Sequence, residues 1–192
     1  MAASNESWEK FLHPDTLKSN LIAISLFITA YEMFKDSIVE KPVAFFTNGF
    51  DEHSSTIDDE YKTDVLARSK SKLYASLLWL KEMGAIEQSN IKVFDSIRQH
   101  RNEVAHEPME FLANSKRNLD ISKFHDLTFL LIKIEKWWFV NFELATDPDI
   151  LPKGADPNEV ISSSVWTLQL MLDIALGNEP EVGFYHNAFK QK

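Results

Sequence analysis

Arg101-Asn102-Glu103-Val104-Ala105-His106 brings a permanent cation, a carboxamide and an imidazole within six residues, and Pro108 follows two positions later. Imidazole is the side chain best suited to moving protons near neutral pH. A guanidinium holds phosphate or carboxylate through two parallel hydrogen bonds. This combination suits metal-free cleavage of a phosphodiester: a base helps a ribose 2′-hydroxyl attack the adjacent phosphate, and a cation stabilises the charge building on the phosphorane. His106 fits the proton-transfer role and Arg101 the phosphate-holding role, while Asn102 would orient His106 or a phosphate oxygen. Products would carry a 2′,3′-cyclic phosphate and a 5′-hydroxyl, and DNA, which lacks the 2′-hydroxyl, would resist.

The element that must position these groups is a helix over about Ser89 to His106. On a 100° step, Phe94, Ile97, Val104 and Ala105 form one stripe and Asp95, Gln99 and Glu103 fall away from it. Arg101 lies inside the stripe, where a leucine would ordinarily sit. An unpaired buried guanidinium is costly, so Arg101 needs a carboxylate, a phosphate or a water-filled cleft at a partner interface. Asn102 and His106 are neighbours four apart, with Arg98 one turn earlier on the same row, so the Asn102 amide can hold the imidazole. Arg101 and His106, five apart, are separated by about 140°. They converge only if the last turn is distorted or the helix packs against a copy of itself. Pro108 disfavours helical dihedrals at Glu107, which places His106 in the terminal turn, where the helix dipole favours a cation.

An arginine, then a polar residue, three more residues and a histidine, late in a small all-helical protein, resembles the HEPN superfamily (higher eukaryotes and prokaryotes nucleotide-binding). Arg101, Asn102 and His106 match that pattern without departure. The resemblance implies a metal-independent endoribonuclease of the kind found in toxin–antitoxin, phage-defence and CRISPR-associated systems. It also implies a homodimer in which both motifs line one cleft, RNA as substrate, an antitoxin protein as a further partner, and no cofactor or metal. Arg98 and His100, beside the motif, are candidate backbone-phosphate contacts, or else a solvated helix face. The competing reading of the motif pairs Arg101 with an acidic residue of a neighbouring helix and uses His106 to cap the last carbonyls.

Charge argues against broad nucleic-acid binding. The chain of 192 residues has a net charge of −9 and a pI near 5.1, whereas nonspecific affinity comes mainly from phosphate neutralisation. The imbalance is uneven: Asp51, Glu52, Asp58, Asp59 and Glu60 form an acidic run, and Lys62, Arg68, Lys70 and Lys72 follow closely. A basic cleft on an acidic exterior would limit indiscriminate RNA binding. The chain has no Cys, so disulfides and thiolate metal sites are excluded, which fits a reducing cytoplasm. The beginning shows no signal peptide, and the longest apolar stretch, Leu21 to Phe34, is interrupted by Ser25, Thr29 and Glu32 and falls short of the ~20 residues of a membrane helix.

The remaining pattern predicts a single all-α domain over residues 1–192, a HEPN-like antiparallel bundle of about five helices with an irregular insertion between the first two. The first helix is expected from about Asp15, a cap after Pro14, to Glu40, ended by Pro42. An irregular segment, Val43 to Asp59, carries the turn signal Asn48-Gly49, and Phe45, Phe46 and Phe50 either pack back on the bundle or stack bases. A second helix is expected over Asp59 to Met83, with Gly84 as a left-handed stop. After the motif helix, Met109 to Ile121 reads as a polar connection and His125-Asp126 as part of a capping region. A fourth helix, Ser122 to Ala145, carries Phe129, Trp137, Trp138 and Phe142, more large apolar groups than one core can take, so some are expected at a dimer or partner interface. A linker-like stretch, 147–158, then leads to a fifth helix, Glu159 to Leu176, and a tail with Phe184, Tyr185 and Phe189.

Other chemistries lack their signatures: there is no HExxH, P-loop, GxGxxG or GxSxG, and five glycines leave little room for a phosphate-cradling loop. Glu52 and His53 with Asp58 and Asp59 read as a solvated acidic loop or a weak cation site. Two alternatives to the nuclease follow from the same residues. One is a non-catalytic dimeric scaffold or nucleotide-binding module with a structural Arg101 and His106; the other is an adaptor that binds a protein through the aromatic fourth helix.

Overall fold

The computed structural model describes residues 2–50, 55–178 and 190. The protein is mainly helical, with eight α-helices among these residues: α1 (Ala2–Leu12), α2 (Pro14–Phe45), α3 (Lys72–Glu82), α4 (Gln88–His106), α5 (Pro108–Ala113), α6 (Ile121–Trp138), α7 (Leu144–Thr146) and α8 (Ser163–Ala175). The long α2 is the central element, packing against α8, α3, α6, α4, α5 and α1. The principal core lies between α2, α3, α4, α6 and α8, with Phe27, Phe34, Phe94, Phe124, Leu131 and Ile134 fully buried. A smaller cluster, Ile24, Val104, Phe111 and Leu112, ties the end of α4 to α5 and α2. No helix among the described residues is long and apolar enough to cross a membrane.

Helix ends depart from expectation where local hydrogen bonding competes with periodicity. His13 rather than Asp15 caps α2, its Nδ1 accepting from the Thr16 amide at 3.3 Å, with Pro14 in the first turn. Pro42 does not end α2. The helix runs on to Phe45, because near a C-terminus the ring removes a single hydrogen bond, and the Phe46 amide still reaches the Pro42 carbonyl at 3.1 Å. The expected helix from Asp59 to Met83 is broken into a π-helical turn, Tyr61–Val65, a 3-10 turn, Leu66–Arg68, and α3. The break falls where the Ser69 hydroxyl accepts from the Ser71 amide and Ser71 caps α3. Gly84, at φ 82°, provides the left-handed stop.

The insertion after α2 holds a two-stranded antiparallel hairpin, β1 (Thr47–Phe50) with β2 (Ser55–Ile57), which periodicity missed because the strands are so short. Phe45 and Phe46 pack back on the bundle, with ring centroids 5.2 and 6.1 Å from Trp79. The Phe50 side chain, the Glu52 and His53 loop, and the aromatic tail residues Phe184, Tyr185 and Phe189 lie outside the described residues. The polar connection contains α5, started by Pro108 and burying Phe111 and Leu112. Asp120 caps α6, accepting from the Ser122 amide at 3.0 Å, so His125 and Asp126 stand inside the helix. α6 gives way to a π-helical turn at Phe139–Glu143, and α8 begins at Ser163, after an extended Val160 and Ser162. α1, absent from the sequence expectation, is held by the Lys10 ammonium, which donates to the carbonyls of Phe111, Asn114 and Arg117 at 2.7–2.9 Å.

Candidate functional site

The motif helix owes its rotation to its apolar residues. A capping box joins Glu87 and Asn90, the Glu87 amide donating to Asn90 Oδ1 at 2.9 Å. Ile91, Phe94, Ile97 and Val104 then bury one face, and Phe94 stacks on Tyr31 and Phe34 at 6.0 and 5.7 Å. With that face committed, the row containing Arg98, Asn102 and His106 turns outward into a shallow, open groove along α4 itself, which Asp95, Gln99, Glu103 and Glu107 also line.

His106 is exposed, and its ring makes no hydrogen bond or ion pair with a described residue. The capping role is therefore not taken up; the last turn closes through the Glu107 amide, which donates to the Glu103 carbonyl at 2.9 Å. Asn102 does not hold the imidazole. Its Oδ1 instead accepts from Arg101 Nη1 at 3.2 Å.

Arg101 stands round the helix from the groove. Its Nη2 donates to Glu32 of α2, and the guanidinium carbon lies 5.1 Å from the centre of the Tyr31 ring. The counter-charge demanded by an arginine in an apolar stripe is thus the carboxylate of Glu32, shared with Lys35. Hydrogen bonds from Lys35 and then Arg101 hold the Glu32 carboxyl below the usual range, outweighing burial. Arg98 repeats the arrangement on α3: Nη1 donates to the Tyr74 hydroxyl at 3.1 Å, that hydroxyl donates to Asp95, and the guanidinium lies 5.4 Å from the ring centre. Burial raises the Tyr31 and Tyr74 hydroxyls above the ordinary tyrosine value, so both stay neutral while supporting the arginines.

His100 does not belong to this site. Its Nε2 accepts from the Asp120 amide at 3.0 Å, and its ring sits 5.5 Å from Phe27 and 5.7 Å from Phe111. Burial pushes this imidazole below its ordinary value, against the pull of Asp120 and Glu103. This half-buried ring already has its Nε2 lone pair in use and stands apart from the row of Arg98, Asn102 and His106.

The groove is not a basic cleft. Glu103 and Glu107 both pair with Arg117, and Asp95 with the Tyr74 hydroxyl, so its carboxylates are engaged by neighbours. Lys62 and Arg68, of the basic run after the acidic loop, pair with Asp59 and Glu82 away from it. Among the described residues no group of three or more His, Asp or Glu side chains is placed to hold a metal ion.

Sequence reading missed Tyr31, Glu32 and Tyr74. A signal existed for Glu32, which interrupts the apolar run of α2 just as Arg101 interrupts that of α4; two opposite charges in two apolar stripes point to a pair. No family model, curated protein or solved structure matches the chain.

Proposed function

We propose that the protein is a metal-independent, HEPN-type endoribonuclease acting in the cytoplasm as a toxin or phage-defence effector, held in check by an antitoxin protein. The observation that carries this reading is the division of the motif. His106, without a partner among the described residues, stands in an open groove beside Arg98 and Asn102, while Arg101 is poised around the helix on Tyr31 and Glu32. One copy of α4 presents its imidazole and its Arg101 guanidinium on different faces. A second copy packed against it, within a HEPN-like bundle, supplies the group that each lacks.

In that composite cleft the 2′-oxygen of the ribose bonds to phosphorus and the bond from phosphorus to the 5′-oxygen breaks. His106 takes the proton from the 2′-hydroxyl, and an imidazolium returns one to the departing 5′-oxygen. Arg101 turns from Glu32 to the phosphate, and Lys35 keeps the Glu32 carboxylate neutralised when it does. The test is cleavage of defined RNAs and matched DNA in EDTA by the wild type, by Arg101→Ala and by His106→Ala. The expected result is RNA-only cleavage leaving a cyclic phosphate, lost in each variant and regained when the two inactive variants are mixed, since a mixed pair keeps one Arg101 and one His106.

One observation favours a second reading, a non-catalytic dimeric scaffold or nucleotide-binding module: Arg101 already has a carboxylate and an aromatic ring. That reading predicts inactive wild type with any partner, and loss of stability or dimerisation in Arg101→Ala.

A further inference from the structure

A second cavity, of about 530 Å³, opens between α6, its π-helical continuation, the 157–162 segment and α8, and shares no residue with the α4 groove. Its volume is that of a small-molecule site. Ile132, Phe139, Val160, Ile161, Val165 and Trp166 make its walls largely apolar. Phe139 and Glu143, the first and last residues of the π-helical turn, both line it. Such turns are rare and concentrate at functional sites, because the extra residue re-aims the side chains on either side.

The polar groups select the ligand. Glu135, only 9% exposed, lines the cavity and binds Ser37, Lys41 and Ser164 at 2.9–3.1 Å, all through Oε1. Its Oε2 receives no hydrogen bond from a described residue. That oxygen is not sealed off from solvent, so it remains free to accept from a ligand entering the cavity. Lys41 neutralises Glu135, but Glu143 and Glu159 line the same cavity and form no ion pair among the described residues, while the remaining lining cation, Lys136, has Asp156 nearby. The excess charge at the mouth is therefore negative.

We infer that this cavity binds an amphipathic amine: an aromatic or aliphatic body seated on Val165, Phe139 and Trp166, with a protonated nitrogen donating to Glu135 Oε2 and attracted by Glu143. The site is independent of the nuclease reading. It is tested by calorimetric titration of the full chain with 4-phenylbutylamine, 4-phenylbutanol and 4-phenylbutyrate, which share a body and differ in the head group. Saturable binding of the amine, at least tenfold tighter than the alcohol and with no binding of the carboxylate, is expected. Glu143→Gln should weaken the amine severalfold, and Val165→Trp, which fills the cavity, should abolish it; thermal melting shows that both variants fold. Glu135→Gln is the less useful variant because it strands Lys41. Equal affinity for amine and alcohol, indifference of amine binding to Glu143→Gln, or no saturable binding of any probe would overturn the inference.

Discussion

Two histidines six residues apart on α4 have opposite surroundings. His100 is half-buried between Phe27 and Phe111 with its lone pair accepting from the Asp120 amide; His106 is exposed at the terminal turn and engaged by no described residue. Six residues on an α-helix correspond to about 120° of rotation, enough to carry one ring into the satellite core and the other into solvent. The arginines divide less sharply, since both lie on tyrosine rings, but only Arg98 lines the groove. Proximity to a motif therefore says little about role. What separates the two imidazoles is whether their nitrogens are already used by described residues.

The sharpest way to break this contrast is substitution. His106→Ala should lower RNA cleavage by about 10²–10⁴-fold, the usual worth of a general acid or base. Its urea midpoint should stay near wild type, because an exposed side chain without partners contributes within about 0.5 kcal/mol. His100→Ala should do the reverse, losing about 1 kcal/mol through the lost hydrogen bond to the Asp120 amide and lost packing on Phe27 and Phe111, with the rate per folded molecule retained.

Acid sharpens the same contrast. Because burial lowers the His100 value in the folded state, the unfolded chain takes up its proton first as pH falls. The His100 contribution is thus fully present above the unfolded value of about 6.5 and is lost as pH falls through the lower folded value. Urea melts between pH 7.5 and 5 should show that loss, and His100→Gln, which does not titrate, should flatten its share of the slope. The smallest effect is expected at Arg98: Arg98→Ala should weaken RNA binding a few-fold and reduce the salt dependence by about one charge, leaving His106 chemistry in place.

The sequence made the motif helix legible nearly to the residue, since Phe94, Ile97 and Val104 recur at helical spacing and Pro108 marks the end. It also showed that Arg101 needed a carboxylate, a phosphate or a water-filled cleft, though not that Glu32, 69 residues earlier, would meet that need. Long-range pairing has no local signature. The same limit hid the burial of His100, which depends on Phe27 and Phe111, and reversed the expected partner of Asn102, whose oxygen serves Arg101. α5 and the hairpin escaped because a few residues cannot establish a period, and the breaks around Ser69 and Phe139 lie inside patterns that read as continuous helix.

The most direct measurement sets the two histidines against each other: initial rates of RNA cleavage in EDTA by the wild type, His106→Ala and His100→Gln at equal folded concentration. The proposed role of His106 predicts cleavage to a 2′,3′-cyclic phosphate by the wild type and His100→Gln, and cleavage at least ~10²-fold slower by His106→Ala. Cleavage by His106→Ala at the wild-type rate would contradict it.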